Sequence, residues 1–355
     1  MDIKKINIDN LKAGKLNLKL ILKQIKRNKF AFTGSIFLLI FILLAILADF
    51  ISPFDPNTQV LEYCSKKMSF QGKVLLKKNS YDDKNKLIPI LSVTGETNDS
   101  LSYTDYDGNK KSILKTELSK YSKDSWEKNI TFYLGTDGLG RDILSRIIFG
   151  SRISLSVGLI SQLIALIIGI FLGSIGGYYR GITDKFVMWL INVVWAFPSI
   201  LFVIAISVVL GKGYWQAFVA IGLTGWVEIA RIVRGQFLSL KEKEFIEAAR
   251  AMGFGNSRII FRHILPNCLG PIIVTATVGL ATAIIFEASL SFLGLGVQPP
   301  MASWGQMIYD GYIYIVVGSN WGIALFPSLA ILLTVLSINL LGDGLRDSFD
   351  PKLIK

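Results

Sequence analysis

KEKEFIEAARAMGFGNSRIIFRHILPN, residues 241–267, is the longest polar, cationic interruption in the apolar second half of the chain. A membrane-length segment flanks it on either side. Phe245, Ala249 and Met252 recur at the i, i+4, i+7 spacing of one helical face, and Glu247 and Arg250 point elsewhere. Ala248 and Ala249 keep the helix surface low, so a partner could approach closely. Gly253 stands where a helix C′ glycine belongs. Asn256 reads as the N-cap of a second short helix. Pro266 reads as the opening of the helix after it, where its missing N–H is not needed. The stretch predicts a helix–turn–helix at a membrane face. It is either an amphipathic connector lying on the bilayer or a docking helix for a cytosolic partner.

The composition around it defines a polytopic membrane protein: 355 residues, 51% hydrophobic, with a net charge of +12. In such a chain positive charge marks cytoplasmic loops. No nucleic-acid-binding module is visible, so no nucleic acid is expected as a partner. Cys64 and Cys268 fall in different regions, which excludes a disulfide framework. His263 is the single histidine, too few for a His-rich metal site or a His-based triad.

Residues 1–29 form a basic segment assigned to the cytosol. Leu16, Leu18, Leu20, Ile21 and Ile25 among its lysines pattern as a short amphipathic helix on an anionic membrane face, or as a solvated tail. A cleavable signal is not read there, because the apolar run that follows is too long. Residues 30–51 make the first span, with Asp49 at its outer end and Pro53 and Pro56 stopping it. Residues 57–133 change to a Lys-, Asp-, Asn-, Ser- and Thr-rich composition, and their alternation predicts a small extracellular, β-containing insertion over 52–133. Strands are expected at 73–77 and 87–93, with a hairpin turn at Asp107-Gly108.

Residues 134–342 hold spans two to six. Over 134–155, Ile143, Ile147 and Ile148 form an apolar face with Arg141, Asp142 and Arg146 opposite, which predicts an interfacial helix leading into span two. Gly169, Gly173 and Gly177 recur every fourth residue, the spacing for close helix packing, against another subunit or within the chain. Span three, 186–210, contains Pro198, which either kinks it or is tolerated. Span four starts at Ala217 and carries Glu228, Arg231 and Arg234 at its inner end. Span five, 269–293, contains Glu287, an ionisable group at membrane depth. It is either a pathway or gating residue or a satisfied structural hydrogen bond. Residues 294–320 carry no Lys or Arg and read as an outer loop. Span six covers 321–341, and 343–355 form a cytosolic tail. Six spans put both termini inside, in agreement with the charge bias.

Glu247-Ala248-Ala249, then Gly253, then Leu265-Pro266 resembles the EAA loop of ABC importer permeases with its spacing intact. His263 stands where many importers have isoleucine, and the ending His-x-Leu-Pro-Asn resembles the peptide and nickel branch. LGTD (134–137) followed by GRD (140–142), LGLGVQPPMASWG (293–305) and LLGDGLRDSFDPK (340–352) resemble signatures of dipeptide and oligopeptide permeases. The likeness covers the chain except 1–29 and 57–133. It implies an all-α, six-helix type I ABC importer permease fold carrying the insertion, in a prokaryotic cell membrane. It implies a C-type oligopeptide or dipeptide permease that forms the pathway with a second homologous permease. Two ATP-binding subunits would carry ATP and Mg, an extracellular substrate-binding protein would deliver the peptide, and membrane lipids would surround the spans. Glu247, Ala248, Ala249, Arg250, Gly253, His263, Leu265 and Pro266 would couple to the ATPases.

The residues themselves fit that division of labour. No Gly-x4-Gly-Lys-Ser/Thr loop is present, so this chain is expected to hold no nucleotide, cofactor or catalytic residue of its own. Energy must come from a partner or an ion gradient. A secondary transporter coupled through Glu287 and Asp49 stays open, as does nickel or another small solute as cargo. An intramembrane hydrolase finds no Gly-x-Ser-x-Gly or paired-carboxylate motif.

Overall fold

The computed structural model describes residues 18–78, 86–119 and 125–349. The chain divides into two compact units, one of Leu44–Ile153 with Pro299–Ala330, the other of Met1–Leu43, Ser154–Gln298 and Ile331–Lys355.

Helix α1 (Leu18–Arg27) holds the amphipathic pattern except Leu16, which lies outside the described residues. Helix α2 (Lys29–Ile46) is started by Asn28, whose Oδ1 accepts from the backbone N–H of Phe30 at 3.1 Å and of Ala31 at 3.2 Å. The side-chain oxygen replaces carbonyls that a first turn lacks. Its Nδ2 donates to Asp347 Oδ2 at 3.1 Å. Asn28→Ala is expected to cost about 1 kcal/mol, read as a lower thermal midpoint in detergent, with Asn28→Ser losing less because a serine still caps. Helix α3 (Ala48–Ile51) ends just before Pro53.

The insertion is an antiparallel sheet of β1 (Phe70–Lys77), β2 (Lys86–Glu96), β3 (Ser100–Asp105), β4 (Lys110–Leu114), β5 (Leu118–Ser119) and β6 (Glu127–Phe132). The order is β4-β3-β2-β1-β5, with β6 also pairing β1. Neighbouring residues of a strand face opposite sides, so the adjacent Val74 and Leu75 of β1 seed two small cores. Val74 packs with Val60, Tyr63, Ile130 and Phe132, and Leu75 with Ile90, Leu101, Tyr103 and Leu118. The expected turn at Asp107-Gly108 is present, with Gly108 at φ +86°. Asp105 Oδ1 accepts from the N–H of Asp107 and of Asn109 across it. The Lys111 ammonium, 2.8 Å from Asp105, holds that carboxyl below its ordinary range. This support is complete above the unfolded carboxyl value of about 3.9 and is lost as pH falls through the depressed one. Amide exchange at Asn109, corrected for intrinsic rate, is expected to accelerate only in that acid window.

The second half is helical: α4 (Ile143–Tyr179), α5 (Gly181–Trp195), α6 (Ser199–Leu210), α7 (Tyr214–Leu240), α8 (Glu244–Ala251), α9 (Asn256–Arg258), a π-helical turn at Ile259–Ile264, α10 (Leu265–Phe292), α11 (Trp304–Val316) and α12 (Gly322–Phe349). Among the described residues, five helices are long and apolar enough to cross a membrane: α2, α4, α7, the run Asn256–Phe292 and α12. The α5–α6 pair makes a sixth if counted as one span, although it bends by 88° at its break. Of the two alternatives at Pro198, the kink is the one present, and it is sharp enough to end one helix and start another. Pro198 offers no N–H to continue the ladder, disfavours helical backbone before it, and is itself extended at ψ 126°. Residues 294–320 are not loop throughout, because α11 is started by Ser303, whose Oγ accepts from the Gln306 N–H. The assigned tail is also helical as far as Phe349. Gly169, Gly173 and Gly177 of α4 face α7 of the same chain, at Ile229, Ala230 and Phe237. The glycine stripe thus serves packing within the chain.

Candidate functional site

Helix α8 carries the 241–267 stretch. It stops as the sequence predicts. Gly253 lies at φ +75°, its N–H bonds the Arg250 carbonyl at 2.9 Å, and the Phe254 N–H bonds the Ala249 carbonyl at 3.2 Å. These two bonds are a Schellman closure, which a left-handed glycine makes without strain. Its inward face differs from the expected one. Ile246 and Ala249 are buried in a cluster with Phe237, Ile259 and Ile264, whereas Phe245 and Met252 are 44% and 64% exposed. The branched Ile246 occupies the core and rotates the helix, so Ala249 is no part of the offered surface. That surface is Phe245, Ala248 and Met252 at i, i+3, i+7, with Glu247 and Arg250 exposed beside them.

The rest of the stretch is bound to the end of α4. Asn256 is not a cap: Gly255 precedes the first helical residue in extended backbone, and Asn256 Oδ1 accepts from the Tyr178 hydroxyl at 2.8 Å. The Tyr178 carbonyl accepts from Lys241 Nζ, and that ammonium lies 5.1 Å from the Tyr178 ring centroid. Burial, then Arg180 and Arg250 nearby, push Lys241 below its ordinary value. Arg180 Nη2 donates to Glu242 Oε1 at 2.6 Å and holds that carboxyl low. Pro266 sits near the start of α10 but opens no separate helix, because Asn256–Phe292 is one helical run. The π-helical turn lies directly before it, where the proline cannot donate to the Arg262 carbonyl. His263 is half-buried and stacks on Phe254, ring centroids 5.7 Å apart. Leu265 packs on the same cluster as Ile246 and Ala249. The structure thus gathers Glu247–Gly253 and His263–Pro266 around one core. Ile246, Tyr178 and Asn256 organise it, and only the branched character of Ile246 gave any signal for this in the sequence.

Glu287 is fully buried and accepts from Ser154 Oγ at 3.1 Å and Ser291 Oγ at 2.8 Å. That is the structural hydrogen-bond alternative. Asp49 pairs with Arg152 at 3.0 Å. Two features escaped the sequence reading. Arg141, Asp142 and Arg146 do not form a solvated face but are buried. Asp137 Oδ2 lies 2.6 Å from Arg141 Nε and 3.5 Å from Arg146 Nε, and Asp310 reaches Arg141 at 3.2 Å. Asp142 accepts from the Ser145 N–H and hydroxyl, yet burial raises its carboxyl. The second is a cavity of about 380 Å³ bounded by α4, α7, α10 and the α5–α6 break.

Residues 165–355 match the family described as binding-protein-dependent transport system inner membrane component, and residues 17–68 match the N-terminal TM domain of oligopeptide transport permease C. The chain belongs to this family of transport-system permeases. It is 48% identical over 221 residues to the glutathione transport system permease protein GsiD of Pectobacterium atrosepticum, covering 62% of this chain and 73% of that one. It is 44% identical over 253 residues to the oligopeptide transport system permease protein OppC of Bacillus subtilis (71% and 80% covered). It is 40% identical over 331 residues to the dipeptide transport system permease protein DppC of Alkalihalophilus pseudofirmus (93% and 88% covered).

Proposed function

We propose that this chain is the C-type permease subunit of an ATP-driven importer of oligopeptides or dipeptides in a prokaryotic cell membrane. It crosses the bilayer six times, the bent α5–α6 pair counted as one span, with both termini in the cytoplasm. It forms the pathway with a second homologous permease. Two ATP-binding subunits supply ATP and Mg on the inner side, and a substrate-binding protein delivers cargo to the outer side. Relatives that serve oligopeptides, dipeptides and the tripeptide glutathione favour a short peptide over nickel.

The observation that carries the coupling role is the division of α8 into two faces. Ile246 and Ala249 lock it to the core that also holds α7 and α10. Phe245, Ala248 and Met252, beside Glu247, form an exposed apolar face, and we assign it to a groove on an ATPase. A push on that face moves the attached spans as rigid bodies, which is gating rather than catalysis. Arg250, Gly253, His263, Leu265 and Pro266 fix the angle of the stretch.

Ala248→Arg tests this, because the new side chain projects from an exposed position and leaves the core intact. Peptide uptake by the reconstituted complex is expected to fall at least about tenfold, with the permease pair still assembled. Unchanged uptake would overturn the docking role. Orthovanadate is expected to stop wild-type uptake and a proton uncoupler to spare it. The reverse pattern would establish an ion-driven carrier.

A further inference from the structure

Glu228 lies on α7 twelve residues before Leu240, about 18 Å along the axis at ~1.5 Å per residue. Its charged neighbours on the spans have partners, although the Arg231 guanidinium keeps its charge. Arg234 makes two bonds to Asp184, Arg231 stacks 3.8 Å over the Trp195 ring, and Glu287 is hydrogen-bonded by two serines. Glu228 is exposed on the surface of this chain and has no hydrogen bond or ion pair among the described residues. It lines the 380 Å³ cavity. Two further polar groups line the same cavity. Gln162 and Ser161 are both more than nine-tenths buried, and Gln162 Nε2 and Ser161 Oγ have no protein partner. A Cβ at Gly279 would collide with Gln162 Oε1, so the missing side chain there makes room for the amide. The other walls include Val194, Val278 and Phe286.

A carboxylate at membrane depth needs a counter-charge or water, and buried orphan donors need an acceptor. An arginine from a neighbouring helix would serve Glu228 and can donate to the Ser161 hydroxyl, but it would leave the Gln162 amide N–H without an acceptor. The free amino end of a peptide supplies both needs together, an ammonium and, three bonds from its nitrogen, a carbonyl oxygen. Apolar walls with a few convergent polar groups are the usual form of a small-ligand site of this volume. We propose that Glu228, Gln162 and Ser161 form a subsite within this chain's membrane core that receives the α-ammonium and first carbonyl of a peptide in transit. This rests on the peptide-importer reading above.

The test uses the complete transporter in proteoliposomes with its binding protein, and the peptide that the wild-type complex takes up best from a mixed di- to pentapeptide library. E228Q is expected to lower uptake about tenfold or more, since a charged hydrogen bond is lost. E228D is expected to restore most of it, and Q162L to lower it with Glu228 intact. All three should retain wild-type assembly and ATPase activity stimulated by the unloaded binding protein. In a second arm, E228C is treated with a cationic methanethiosulfonate, with wild type setting the background from Cys64 and Cys268. Peptide-loaded binding protein should protect the new thiol, and unloaded binding protein should not. Wild-type uptake by E228Q, loss of the second permease from E228Q, or a thiol that loading leaves unprotected would each overturn the subsite. The first or third would leave Glu228 without a substrate contact, and the second would make it a subunit contact. If wild type imports none of the library peptides, the peptide-importer reading itself has failed.

Discussion

Gly173→Val is expected to keep the chain from accumulating as a stable membrane protein. A Cβ at position 173 would lie 2.5 Å from the Ala230 carbonyl oxygen, 2.9 Å from Val233 Cβ and 3.0 Å from Ala230 Cα. Two of these three are backbone atoms of α7, which cannot swing aside as a flexible side chain would. The helices must separate, and with them the contacts that Gly169 and Gly177 make one turn away on either side. Overpacking of a fitted core costs about 1–3 kcal/mol, with rigid obstacles at the upper end. In lipid, little else drives these helices together, because the acyl chains are as apolar as the residues they would replace. Gly235→Val is the control, since nothing lies within 4 Å of a Cβ there. Fluorescence-detected gel filtration of detergent extracts should show a large loss of monodisperse Gly173→Val protein and near-normal Gly235→Val.

Asp137→Asn is expected to be the most damaging single change in the unit that contains the sheet. The substitution keeps the shape but leaves the buried Arg141 and Arg146 sharing Asp310 alone, which reaches them at 3.2 and 3.9 Å. Asp137 also accepts from the N–H groups of Leu139 and Arg141 through Oδ1, which an asparagine oxygen still does, so the loss falls on the ion pairs at Oδ2. Breaking a buried pair from one side costs about 3–5 kcal/mol, because the charge left behind has no water. Removing the surplus charge as well should recover part of that loss, so Asp137→Asn with Arg146→Met is expected to melt above Asp137→Asn alone. A double variant no better than the single would show that the lost Oδ2 hydrogen bonds, not the charge balance, carry the effect.

The sequence announced α8 and its stop plainly, because helix spacing and a C′ glycine are local facts. It could not announce which face is buried. Phe245-Ala249-Met252 and Ile246-Ala249 are both valid helical stripes that share Ala249, and the choice between them is made by Phe237, Ile259 and Ile264, which pack there only in the folded chain. The same holds for the glycine stripe, whose spacing was legible while its partner on α7 was not. Pro198 marked a break, but its 88° angle depends on what packs around α5 and α6. Arg141 and Arg146 looked like a solvated face because Asp310, which joins them, is 169 residues from Arg141. Asn256 illustrates a different limit. An asparagine after a glycine is a sound cap candidate until a tyrosine hydroxyl from elsewhere takes its side chain.

β4 is the outer strand of its sheet, paired with β3 alone. An unpaired strand edge is an invitation to any other extended chain nearby. Here the edge begins Lys110-Lys111, both exposed. An approaching strand would have to strip water from these two side chains, one of them already held by Asp105, before backbone bonds could form along the edge. The insertion can therefore stand in a crowded layer of identical neighbours without being zipped into them.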